Sequence, residues 1–101
     1  MFEDILQKKE PNPSEIVYHA NTNGYLLLSG KLRLGDLLEK GQDENYCTFD
    51  PYNLIDKPEF IEVLSKMIEY FAEIEDYEKC AYLRDYDYMH YQTVIFNHQK
   101  T

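Results

Sequence analysis

The apolar positions of this chain change their spacing from one stretch to the next, and the C-terminal half has the clearest rhythm. From Phe60 onward, Leu64, Met67, Ile68 and Phe71 recur at helical spacing, Ile61 and Val63 widen the stripe, and Glu62, Lys66, Glu69 and Glu73 fall on other faces. Asp56-Lys57-Pro58-Glu59 in front of it supplies an N-cap, a first-turn proline and an acid three residues on. The phase shifts around Ile74-Glu75-Asp76, after which Tyr77, Cys80, Ala81, Arg84 and Tyr88 share one side of a second helix. Residues 57–73 and about 76–91 therefore predict an antiparallel helical hairpin. Thr93-Val94-Ile95-Phe96 then reads as a helix extension or an added strand.

The N-terminal half reads differently. Residues 2–10 carry Phe2, Ile5 and Leu6 on one side of a short helix that Pro11 and Pro13 end. Ile16-Val17-Tyr18 suggests a strand, and Asn21-Thr22-Asn23-Gly24 a hairpin turn, since Asn-Gly readily supplies positive φ angles. Tyr25-Leu26-Leu27-Leu28 reads as a buried strand, Ser29-Gly30 as a reversal, and Lys31-Leu32-Arg33-Leu34 alternates with period two. Residues 15–34 thus predict a three-stranded antiparallel meander. A short helix over 36–40, started by Asp36 and ended by Gly41, leads to a loop over 42–55 that docks Tyr46, Phe49, Tyr52 and Leu54. The expected fold class is α+β: a small antiparallel β-meander followed by a C-terminal helical hairpin, in one domain spanning 1–101.

Composition narrows the function classes. With 44% hydrophobic and 29% charged residues the chain has the make-up of a folded protein. No apolar run approaches the ~18 residues of a membrane span, and the polar start MFEDILQKKE does not resemble a signal or transit peptide, so a cytoplasmic location is expected. A net charge of −9 repels phosphate backbones and argues against direct nucleic-acid binding. The surplus either serves solubility or imitates DNA phosphates within another protein's basic cleft.

Candidate chemistry is thin. Cys47 and Cys80 are two cysteines without a C-x-x-C partner, and His19, His90 and His98 are scattered, so no four-ligand zinc site forms. In Asp85-x-Asp87-x-x-His90 the two aspartates point about 200° apart on a helix and do not chelate one ion. Ser29-Gly30-Lys31 lacks the other parts of a phosphate loop. No catalytic, cofactor or metal site is expected.

Residues 69–88 stand apart because they concentrate both charge and aromatics. Seven acids face two basic residues there, and five of the ten tyrosines lie within it. Tyr77, Cys80, Ala81 and Arg84 are expected to look inward, with the carboxylates, Tyr82 and Tyr86 outward. Such a face suits gripping another macromolecule, since aromatics are enriched at protein interfaces. The expected partner-binding residues are Glu75, Asp76, Glu78, Tyr82, Arg84, Asp85, Tyr86 and Tyr88.

Over roughly residues 60–91, the run Ile74-Glu75-Asp76-Tyr77-Glu78-Lys79-Cys80-Ala81-Tyr82-Leu83-Arg84-Asp85 resembles the UVR motif. That short helical hairpin occurs in the B and C subunits of bacterial excision repair, in Clp-type ATPases and in an activator of a protein-arginine kinase. Cys80 departs from the usual first alanine, and Asp87 stands where an apolar residue is the rule. The resemblance implies no chemistry. It implies a bacterial or phage accessory factor that binds a partner protein, or a second copy of itself, with Tyr77, Cys80, Ala81 and Leu83 packing and Arg84 and Asp85 orienting.

Overall fold

Asn12 and Pro13 open the first helix. The Asn12 side chain accepts from the Ser14 N–H at 3.0 Å, and Pro13 occupies the first turn, where a missing N–H costs nothing. The computed structural model describes residues 12–41 and 44–99. Among them the chain is all helical: α1 (Pro13–Leu28), α2 (Leu34–Glu39), α3 (Lys57–Glu73), α4 (Tyr77–Arg84) and α5 (Tyr88–Gln99). The short helix expected over 2–10 lies outside the described residues.

The expected β-meander over 15–34, and with it the α+β class, is overturned, because α1 runs straight through the Asn-Gly pair. The reason is tertiary. Asn23 is buried, and its Nδ2 donates to two loop carbonyls, Glu44 O and Tyr46 O, each at 2.7 Å. Gly24 lets that loop close down, for a Cβ there would run into Thr48 Oγ1 and crowd the Met67 side chain. The inward face of α1 thus passes through Asn21, Asn23 and Gly24 before Leu27 and Leu28, and half of its helical period is written in residues that are not apolar. Lys31-Leu32-Arg33, expected as a strand, is a connection. Asp36 supports α2 by accepting from the Arg33 N–H at 3.3 Å.

The hairpin forms as α3 and α4. Asp56 caps α3 by accepting from the Glu59 N–H at 2.9 Å, and Phe60, Leu64, Met67 and Phe71 make its buried stripe. The second arm is shorter than expected. It stops at Arg84, and Asp87 starts α5 by accepting from the His90 N–H at 3.0 Å. The Asp87–His90 pair that spacing offered as a metal fragment is therefore a helix cap.

Leu27, Leu28, Phe60, Met67, Phe71, Leu83, Tyr91 and Ile95 form the fully buried centre between α1, the hairpin and α5. Each such side chain contributes about 1.5–3 kcal/mol by leaving water. Phe60 is the hub, stacked on Tyr91 at 4.2 Å and tilted against Tyr86 and Tyr88.

Candidate functional site

The tip of the hairpin is built by the way α3 ends. The Asp76 N–H bonds to Phe71 O at 2.8 Å and the Glu75 N–H to Ala72 O at 3.1 Å, the two reversed bonds of a Schellman closure. That closure requires a left-handed residue, and Glu75 takes it with φ 62°. Asp76 then turns the chain into α4, accepting from the Lys79 N–H and from Lys79 Nζ. The lysine's hydrogen bond holds the Asp76 carboxyl below its ordinary value, and the Lys79 ammonium is raised in return. Lys79 also lies over the Tyr25 ring at 5.2 Å and the Phe71 ring at 5.7 Å, tying the tip to α1.

This closure turns apolar groups into solvent. Tyr77, at the first position of α4, is 63% exposed, and Ile74 is 47% exposed. Glu73, Glu75 and Glu78 stand exposed around them. Tyr18 is exposed as well, on α1. The tip therefore exposes two apolar groups, Ile74 and Tyr77, on one surface with the carboxylates of Glu75 and Glu78. Among the described residues no group of three or more His, Cys, Asp or Glu side chains could hold a metal ion.

The eight residues expected to bind a partner do not share one surface role. Glu75, Glu78, Arg84 and Asp85 are exposed, Asp76 is a half-buried cap, and Tyr82 sits at the edge of the core, edge-on to Tyr25 at 5.5 Å. Tyr86 and Tyr88 are half-buried and tied down. Tyr86 donates to Leu28 O at 2.8 Å and Tyr88 to Ile55 O at 2.6 Å. Burial pushes the Tyr86 hydroxyl well above its ordinary value. The outward placement expected for Tyr86 is corrected accordingly.

The expected inward face is corrected as well. Cys80 and Leu83 are buried, with Cys80 Sγ donating to Ile68 O at 3.4 Å, but Tyr77, Ala81 and Arg84 face solvent. Arg84 instead closes the last turn of α4, where a cation complements the helix dipole. Ile74 and Tyr77 are thus the surface groups that sequence reasoning missed as outward anchors. The signal was present in Asp76: a cap there puts Tyr77 at the first helical position, outside the packed turn.

At the other end of α3 two shallow hollows adjoin at Met89 and Gln92: one is completed by Leu54 and Phe96, the other by Ile61, Lys57 and Asp87. Cys47, in the loop under α2, is driven by burial up to about 11, which keeps it a thiol. Among the described residues no helix is long and apolar enough to cross a membrane. No family model, curated protein or solved structure matches this chain.

Proposed function

We propose that this chain is a small acidic adaptor or regulatory factor that binds a partner protein through the tip of its helical hairpin. The observation that carries the reading is the exposure of Ile74 and Tyr77 in the run Glu73-Ile74-Glu75-Asp76-Tyr77-Glu78, where Glu73, Glu75 and Glu78 are exposed as well. Tyrosine is among the residues enriched at binding hot spots, where an aromatic side chain fills a partner's pocket. The net charge of −9 favours a partner whose pocket is rimmed by Lys or Arg over a second copy of the same chain, because two such surfaces repel. The resemblance of residues 60–91 to the UVR motif, a binding hairpin, supports the same reading.

The test is affinity capture from the native host's lysate with the full chain and two variants. Tyr77→Ala combined with Ile74→Ser alters the tip, and Met89→Ser alters the distant hollows. The tip variant is expected to lose a protein that the Met89 variant retains, and identical recovery by both would sink the proposal. Repeating the capture at high salt separates the alternative of a DNA mimic in a basic cleft. A mimic releases its target steeply as salt screens its carboxylates, whereas a tip anchored by Tyr77 loses only the share that the basic rim supplies and keeps its apolar contact.

A further inference from the structure

The Asn23-Gly24 pair combines two demands of the fold in one dipeptide. Position 23 needs a side chain with two N–H donors, because Glu44 O and Tyr46 O both converge on Nδ2 at 2.7 Å. The remaining oxygen, Oδ1, has no hydrogen-bond donor among the described residues, so the amide cannot be turned over without setting an acceptor against two carbonyls. Position 24 needs the absence of a Cβ, because of Thr48. Neither demand concerns chemistry, yet together they create the one asparagine in the chain that is followed by glycine.

Asn-Gly is the dipeptide most open to intramolecular deamidation, since glycine leaves the attacking nitrogen unhindered. The Gly24 backbone nitrogen gives up its proton and attacks Asn23 Cγ. The Cγ–Nδ2 bond breaks, and the nitrogen leaves as ammonia with the proton. Water then opens the five-membered succinimide to an aspartyl or isoaspartyl linkage. The helix blocks this. In α1 the Gly24 N–H is inside the hydrogen-bond ladder and the backbone at 23 is held helical, away from the ring-closing conformation. The Asn23 side chain, 1% exposed, is clasped by both carbonyls.

We infer that Asn23 is a spontaneous modification site that is silent in the folded chain and opens when α1 unfolds, making prolonged unfolding a one-way exit. An aspartate at 23 has no donor for Glu44 O and Tyr46 O and places negative charge against both. An isoaspartyl linkage adds a backbone atom inside a helix. Either product lacks the clasp that holds the 44–48 loop on α1.

The experiment incubates the full chain at pH 8 with and without denaturing urea, follows deamidation by peptide mass spectrometry and isoaspartate assay, and then dilutes both samples to refold. The unfolded sample is expected to convert at 23, and the folded sample to convert slower by a factor of at least about ten, as protection by a core helix allows. Recovery of native circular dichroism is expected to fall in proportion to conversion at 23. Equal rates in the two samples would overturn the protection, and full refolding of converted chains would overturn the one-way exit. Asn23→Gln, which keeps both donors but closes a less favourable ring, is a second control. It is expected to remove the time-dependent loss of refolding, and persistence of that loss would show that position 23 is not its source.

Discussion

The two ends of α4 use the same residue types for opposite purposes. At its start, Tyr77 stands in solvent beside Glu75 and Glu78; at its end, Tyr86 and Tyr88 turn back into the protein and spend their hydroxyls on carbonyls of distant segments. Leu28 O, which Tyr86 serves, is the last carbonyl of α1 and has no partner within its own helix. One tyrosine-rich stretch therefore contains a candidate anchor and a clamp, and composition alone does not distinguish them. What separates them is whether the hydroxyl meets a backbone group that water would otherwise have to satisfy.

The clamp end should be the costly one to disturb. Tyr91, fully buried between Phe60 and Phe49, accepts from the Ile55 N–H at 3.0 Å and anchors the segment before α3. Tyr91→Ala is expected to lower unfolding free energy by about 3–5 kcal/mol, the usual result of emptying a core aromatic site. Urea denaturation measures it, and a loss below about 1 kcal/mol would mean that the clamp is not part of the core. Because the domain has only about 5–15 kcal/mol in total, Tyr91→Phe is the companion that keeps the fold while removing the hydroxyl.

Tyr86→Phe should cost less, about 0.5–1.5 kcal/mol, since the ring stays and only the bond to Leu28 O is lost. It also has a pH signature. Burial first, then the charges of Tyr82 and Asp87, raise the folded-state value of Tyr86 above the ordinary 10.0. On raising the pH, the unfolded chain therefore loses this proton first. The contribution is intact below pH 10 and declines as pH rises beyond it. Stability measured from pH 8 to 11 is expected to fall less steeply in Tyr86→Phe than in the parent, with the similarly raised Tyr91 accounting for part of the slope that remains. Parallel curves would remove Tyr86 from the clamp.

The hairpin was legible in sequence because its signals are local: an aspartate cap, a first-turn proline and the buried stripe Phe60, Leu64, Met67 and Phe71 at helical spacing along α3. The first half was misread for the converse reason. The buried seam of α1 contains Asn21, Asn23 and Gly24, so the apolar period is broken where packing is tightest, and the Asn-Gly pair imitates a turn. The clamp was illegible because its partners are remote, 58 residues away for Tyr86 and 33 for Tyr88. Tyr77 was assigned to the wrong face because α4 was read as one arm through residue 91. It ends at Arg84, and a helix of eight residues fixes its facing by its cap more than by periodicity.

The smallest effect sharpens the comparison most. α1 closes with the same pair of reversed bonds as α3, Lys31 N–H to Leu26 O at 2.9 Å and Gly30 N–H to Leu27 O at 3.2 Å, but with glycine in the left-handed position at φ 76°. Glutamate at 75 bears about 1–2 kcal/mol of left-handed strain that glycine escapes. Glycine gives back about 0.4–1 kcal/mol through the greater freedom of the unfolded chain. Glu75→Gly is thus expected to stabilise the protein by roughly 0.5–1 kcal/mol, read as a rise in urea midpoint without a change in slope. Stabilising substitutions carry a cost where the replaced residue serves function, and at the tip that residue is a carboxylate. Glu75→Gly is then expected to weaken partner capture while strengthening the fold. If it strengthens both, Glu75 is only a strained cap, and the binding surface at the tip reduces to Ile74, Tyr77 and Glu78.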